Sequence, residues 1–183
     1  MALDLMRIIG GLAKGRSLVV PHGSRPMTAR AREGVFSSLG SAVVGARALD
    51  LFAGSGSLGL EALSRGAASA LFVEQTVHGA LAIERNIALV GLGGEVIRSK
   101  VLDYLRHPGA PFDLSFVDPP YSDSLASVEE VMKQLEPRLA GGATVVVRRR
   151  AGGEHPVLPT PYLLVDRRRY GDDEIFRYLE GDA

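Results

Sequence analysis

From residue 47 onward, short apolar runs alternate with stretches whose apolar positions recur every three or four residues. The runs at 48–52, 69–74, 95–100 and 112–118 are rich in Leu, Val, Ile and Phe and have the length of buried strands. Between them, 58–64, 78–90 and 125–139 carry helical spacing; Gly91 closes the second, and Gly141-Gly142 stops the third. Three further strand-like runs follow at 144–149, 163–168 and 174–179, the last two joined by Tyr170-Gly171-Asp172. Strands alternating with helices predict an α/β fold with a doubly wound parallel sheet, because parallel neighbours need crossover connections. The two consecutive strands at the end predict an antiparallel edge on that sheet. In such folds ligands sit at the carboxyl ends of the strands, so chemistry is sought just after each strand.

Ahead of this region, 7–11 and 16–20 are short, partly β-branched runs split by Leu12-Ala13-Lys14-Gly15, which predicts a small hairpin. Residues 29–39 place Val35, Phe36 and Leu39 at helical spacing, with Thr28 as the cap and Arg30 and Arg32 on the exposed side. The expected division is a hairpin and basic helix over 1–40 and a larger domain over 41–183.

Composition narrows the class. The chain has 183 residues, 46% of them hydrophobic, which is enough for one packed core. No apolar run approaches the length of a membrane span, and no signal-peptide pattern opens the sequence. There are no cysteines, which excludes disulfides, thiol nucleophiles and Cys-ligated zinc and makes a cytoplasmic address the expectation. The four histidines, His22, His78, His107 and His155, show no metal-ligand or triad spacing, so no metal is expected and surface positions are. Net charge is zero, yet residues 1–40 carry six Lys/Arg against two acids, and residues 41–140 carry eight against twelve. A basic arm on an acidic body suits a polyanion touched mainly at one end.

Gly54-Ser55-Gly56-Ser57-Leu58-Gly59 follows the first strand of the alternating region, and Glu74 stands 20 residues beyond Gly54. The pattern alone fits a dinucleotide site as well. Asp50, within the strand end ahead of the glycines, argues otherwise: a carboxylate there repels a pyrophosphate but suits the ammonium of an amino-acid-like ligand. Asp103, just after the third strand, can accept from an adenine amino group, and Glu74 from ribose hydroxyls. Acids at three successive strand ends point to S-adenosylmethionine, with Phe52, Ser55 and Gln75 counted as neighbouring candidates.

Asp118-Pro119-Pro120-Tyr121 follows the fourth strand of this region. Two prolines remove two backbone donors and stiffen the turn, leaving the Asp118 carboxylate and nearby carbonyls as fixed acceptors. Such acceptors suit an exocyclic amino group conjugated to a nucleobase, and Tyr121 offers a face for an extruded base. The tetrapeptide does not choose adenine over guanine, or DNA over RNA.

With Arg7-Ile8-Ile9-Gly10-Gly11, Arg25-Pro26-Met27-Thr28-Ala29-Arg30-Ala31-Arg32-Glu33 and the run from Ala48 to Gly66, these motifs resemble the RsmD family over nearly the whole chain, residues 6–179. That family methylates guanine N2 in bacterial small-subunit ribosomal RNA. The resemblance implies a class I S-adenosylmethionine-dependent methyltransferase fold: a Rossmann-like doubly wound sheet of seven strands, the last antiparallel, with an N-terminal β-hairpin and helix extension. It implies that Asp50, Gly54, Gly56, Glu74 and Asp103 hold the cofactor and that Asp118 to Tyr121 hold the guanine. Thr28 joins the cofactor candidates, while its neighbours Arg25 and Arg30 are left between cofactor and RNA. The RNA-binding set is Arg7, Lys14, Arg16, Arg25, Arg30 and Arg32, on a monomer whose partner is the small ribosomal subunit or its RNA. Residues 1–5 precede the family's usual start, which makes Met6 a candidate initiator. The triplets Arg148-Arg149-Arg150 and Arg167-Arg168-Arg169 fit solvated surface and RNA contact equally well.

Three alternatives stand beside this reading. An adenine amino-methyltransferase shares the tetrapeptide but usually carries a target-recognition domain, for which 1–40 is too small. An NAD-dependent oxidoreductase shares the glycine pattern but gives Asp50 and Asp118-Pro119-Pro120-Tyr121 no role. A non-catalytic RNA-binding module leaves the intact cofactor and amino-binding positions unexplained.

Overall fold

The computed structural model describes residues 6–181; the candidate initiator's preceding residues, 1–5, lie outside it. A two-stranded ribbon, β1 (Met6–Arg7) with β2 (Ser17–Leu18), opens the chain and is followed by α1 (Ala29–Leu39). The sheet then builds from β3 (Arg47–Leu51), β4 (Ser69–Glu74), β5 (Glu95–Arg98), β6 (Phe112–Val117), β7 (Leu139–Arg150), β8 (Tyr162–Tyr170) and β9 (Asp173–Glu180). Its spatial order is β5-β4-β3-β6-β7-β9-β8. Helices α2 (Ser57–Ser64), α3 (Val77–Val90), α4 (Val101–Leu105) and α5 (Leu125–Leu135) supply the connections among the first five sheet strands.

The alternation read from the sequence is present, and the two consecutive strands at the end form the expected antiparallel edge. The last strand, β9, lies between β7 and β8, antiparallel to both, and β8 is outermost. Elsewhere the differences lie in where elements end. The helix expected over 125–139 ends at Leu135, because Pro137 offers no N–H to continue the ladder; a 3₁₀ turn over Glu136–Arg138 leads into β7. The strand expected over 95–100 stops at Arg98, and the unforeseen α4 begins three residues later.

Two apolar clusters flank the sheet. One contains Leu49, Leu51, Val73, Val117, Val145, Val147 and the apolar face of α5. The other contains Ala48, Phe72, Leu114, Phe116 and Val146 together with Ile8, Leu18, Met27, Val35, Phe36 and Leu39 from the N-terminal segment. The hairpin and α1 therefore share a core with the sheet. Thr28 caps α1 as expected, its hydroxyl accepting from the Ala31 N–H.

Polar side chains pin this segment in register. Glu61 on α2 is fully buried, and its two carboxylate oxygens accept from the Ile9 and Gly10 N–H groups, each at 2.8 Å, and from Arg65 Nε. Asn86 on α3, also fully buried, pairs with both backbone groups of Val19 and donates to the Ser55 carbonyl. Arg32 is buried, against the expectation of an exposed cation; it donates to the Arg7 carbonyl at 2.7 Å, and burial lowers its pKa. Its place in the sequence between α1's apolar positions Ala31 and Val35 turns it inward beneath the hairpin.

Replacing Glu61 with Ala removes the acceptor of two partly buried backbone donors and of Arg65, and the expected cost is about 3 kcal/mol. Urea unfolding should show a lower midpoint at unchanged slope, and amide exchange should accelerate first at Ile9 and Gly10.

Candidate active site

The carboxyl edge of the sheet gathers several of the candidate side chains. At the end of β3 the chain turns sharply, and Phe52 takes φ 59°, a left-handed conformation that is costly for a bulky residue. The strained turn sends the Phe52 ring to the wall of two adjoining cavities. Gly54 follows at φ 56°, where a Cβ would meet nothing closer than the Phe52 carbonyl at 3.9 Å, so the backbone lies bare against the cavities. Gly59 is needed for packing instead: a Cβ there would fall 2.4 Å from the Phe72 ring.

The first cavity, of about 330 Å³, is lined by Asp118, Pro119, Pro120 and Tyr121 together with Phe52, Gly54 and Ser55. Arg25, Met27, Ser57 and Arg148 complete much of its wall. The second, of about 440 Å³, is lined by Glu74, Gln75, His22, His78 and Val101. Phe52, Gly54 and Pro120 line both, so the two form one cleft running from Glu74 to Asp118. Residues 23 and 24, between the hairpin and α1, also line both cavities. His22 and His78 are exposed, as expected of them, yet they stand on this wall.

The acids are held by different devices. Glu74 accepts from the Gly54 N–H at 2.9 Å and from the Thr76 N–H and hydroxyl at 2.8 Å, tying the glycine loop to the start of α3. Asp50 is 2% exposed and accepts from the Gly59 N–H at 2.9 Å in the first turn of α2. There it complements the helix dipole. Burial pushes its carboxyl well above the usual range, opposed by that hydrogen bond. Asp50 thus sits behind the loop and is not on the cavity wall; Gly56, also buried, supplies the left-handed N-cap of α2.

Asp118 is pushed up to about 6 by burial, although Arg148 pulls the other way. Arg148 Nη1 donates to both its oxygens, at 3.1 and 3.2 Å. Arg148 is 5% exposed and also donates to Asp173 at 2.9 Å and to the Tyr121 hydroxyl at 3.0 Å. The Tyr121 hydroxyl in turn donates to Asp173. The Arg25 guanidinium lies 5.5 Å from the Tyr121 ring centroid.

Several expected residues stand elsewhere. Asp103 lies in the first turn of α4, exposed and paired with Arg106 at 2.8 Å; it lines neither cavity, and Val101 reaches the wall instead. Thr28 is spent on capping α1 and is also off the wall. Arg16 donates to the Leu89 and Val90 carbonyls at the end of α3, where a cation complements the helix dipole. Arg7, Lys14 and Arg30 are exposed. In the first arginine triplet, Arg148 is neither surface nor free cation, because its register on β7 turns it toward Asp118 and Asp173. Nothing local in the sequence marks this, since its partners lie 30 and 25 residues away.

The comparisons with known proteins give the family and the fold. A family model described as "Conserved hypothetical protein 95" matches residues 6–179. The ribosomal RNA small subunit methyltransferase D of Escherichia coli K12 is 37% identical over 183 residues, covering 97% of this chain and 91% of the relative. The solved structure of Escherichia coli yhhF superposes with a TM-score of 0.88 at 37% identity, covering 97% of this chain and 98% of that one. A ribosomal protein L11 methylase from Lactobacillus delbrueckii gives a TM-score of 0.67 at 19% identity, covering 87% and 80%, which is a likeness of fold. The architecture is the class I methyltransferase fold.

Carboxyl-selective NMR of the free protein should find Asp118 titrating near 6. Asp113, held down by Arg47, should titrate near 2 in the same spectra. Because folding raises the Asp118 pKa above its unfolded value, this group lowers stability as pH rises between those two pKa values.

Proposed function

The chain belongs to the RsmD family, whose curated relatives are named small-subunit ribosomal RNA methyltransferases, and on that premise we propose that it methylates the exocyclic N2 of a guanine in small-subunit ribosomal RNA, using S-adenosylmethionine. The observation that carries the reading is the cleft that joins Glu74 to Asp118 past the bare backbone of Gly54.

The residues present fit this cofactor. Glu74 and Asp50 have no cationic side chain paired with them among the described residues, and Asp118 and Glu74 add their negative charge around Asp50. A ligand bearing a sulfonium and an ammonium relieves that repulsion, whereas a pyrophosphate would add to it. Glu74, Gln75 and Val101 would hold the nucleoside end, and Gly54 and Ser55 the region nearer Asp118. When bound, the cofactor supplies an electrophilic methyl on sulfur.

Tyr121 and the stiff Pro119-Pro120 turn place an extruded base edge-on to Asp118. Asp118 accepts hydrogen bonds from the amino group, orienting its nitrogen and favouring a more nucleophilic, pyramidal geometry. After transfer, the methylated nitrogen is acidic, and its proton passes to the Asp118 carboxylate or to water. A carboxylate with a pKa near 6 is a better acceptor than an ordinary aspartate.

Arg7, Lys14, Arg25 and Arg30 remain as exposed candidates for the RNA phosphates, Arg25 also pairing with Asp172 at 3.4 Å. With Arg16 engaged at the end of α3 and Arg32 buried, the arm offers three exposed cations without an acidic partner among the described residues, and Arg25 as a fourth. Looped RNA is the fitting target, since its bases splay out at little cost. We place the reaction in the cytoplasm, with a monomer acting on the assembling subunit.

Methyl-labelled cofactor is offered with unmethylated small subunits, naked small-subunit RNA and duplex DNA, and the product nucleosides are identified by mass. N2-methylguanosine confined to the ribosomal acceptors is the expected result; label on adenine, or in DNA, would overturn the substrate assignment. Asp118→Ala should lower kcat about a thousandfold or more with cofactor affinity unchanged. Glu74→Ala should instead weaken cofactor binding about tenfold, read by calorimetry.

A further inference from the structure

We propose that Arg148 and Asp173 are positioning residues of the base-binding site, Arg148 bracing the Asp118 carboxylate and the pair together fixing the Tyr121 ring. The inference rests on the amino-methyltransferase reading above and assigns two residues that neither motif contains.

Arg148 spends its guanidinium on the site. Nε donates to Asp173, Nη2 to the Tyr121 hydroxyl, and Nη1 to both Asp118 oxygens and to the Arg25 carbonyl at 3.2 Å. Stability does not account for such an arrangement, since a buried ion pair is on average no better than well-packed apolar residues. Nη1 reaches both carboxylate oxygens as one shared donor. A carboxylate offers about four lone-pair sites, so Asp118 keeps acceptor capacity for the N–H groups of a base in the cavity it lines. Arg148 can therefore hold the carboxylate in place without being displaced when a base enters.

Tyr121 is fixed at both ends. Its backbone follows two prolines, and its hydroxyl donates to Asp173 while accepting from Arg148. A ring held in this way is a preformed stacking surface, so less ordering remains to be done when a base arrives. Asp173, 4% exposed at the start of β9, also balances the Arg148 charge. The charged and titratable groups around Asp118 are Arg148 from β7, Asp173 from β9, Asp50 from β3, Tyr121 from its own turn and Arg25 from the segment before α1. Of these, Arg148 is the cation bonded to the carboxylate, and it opposes the upward push of burial and of Asp173.

The test compares wild type with Arg148→Met, Arg148→Lys, Asp173→Asn and Tyr121→Phe, on the RNA acceptor and in calorimetry with the cofactor. Arg148→Met should lose about a hundredfold in kcat. The acid limb of its kcat/KM profile should move up by about one pH unit as Asp118 loses its cation. Cofactor affinity should stay within about twofold of wild type, since the network lies at the far end of the cleft from Glu74. Arg148→Lys should restore the acid limb but not kcat, because an ammonium supplies the charge without the fork. Asp173→Asn and Tyr121→Phe should raise KM for RNA by about threefold or more while leaving kcat less affected, as expected for a loosened platform. Arg148→Met with kcat and acid limb unmoved would overturn the proposal, as would cofactor affinity lost in parallel with activity. Should wild type methylate no guanine, the functional reading fails separately. The Asp118 titration in Arg148→Met then still decides the brace, an unmoved midpoint counting against it.

Discussion

Neighbouring parallel strands deliver Asp50, Glu74 and Asp118 to one edge of the sheet, where water is scarce and like charges repel at short range. Each needs its own compensation, and much of the local structure consists of those compensations. Asp50 takes an N–H from the first turn of α2. Glu74 takes backbone and hydroxyl donors that bind the glycine loop to the start of α3. Asp118 takes a buried arginine, which in turn requires Asp173. Of the three, Glu74 and Asp118 reach the cleft wall, one at each end, while Asp50 stays behind the glycine loop.

The N-terminal segment belongs to the same economy of buried polar groups. Glu61, Asn86 and Arg32 are side chains that bond backbone groups of the hairpin and of Val19 just after it. They fix where residues 21–27 run, and those residues roof the cleft. Because the partners are backbone groups, the docking depends on the path of the hairpin more than on its side chains. That leaves Arg7, Lys14 and Arg30 facing outward without an acidic partner among the described residues.

The strand and helix rhythm was legible because each element is bounded by a turn signal, and the Asp118 tetrapeptide because its chemistry is contiguous. What escaped the sequence is non-local or too short. Helix α4 has five residues, less than two turns, and it carried Asp103 away from the cavity to pair with Arg106. The hairpin of β8 and β9 was legible, but not which of its strands is outermost, since only the pairing of β9 with β7 decides that. Arg148 looks like any member of a surface triplet until β7 and β9 are placed side by side. Arg16 and Arg32 count as charge in composition, but the fold spends one on carbonyls at a helix end and buries the other.

The place of β9 in the sheet bears on the order of events during synthesis. Six strands of the sheet can emerge from the ribosome before it, but β8 cannot join them, since among the described residues its one neighbour in the sheet is the strand still to come. Asp173 arrives with that strand. Until then Arg148 faces Asp118 without its counterweight and Tyr121 has lost one of its two anchors. The nascent chain therefore carries its glycine loop and the Asp118 tetrapeptide some time before it carries the whole hydrogen-bonded network around them, and the step that completes the sheet also completes that network.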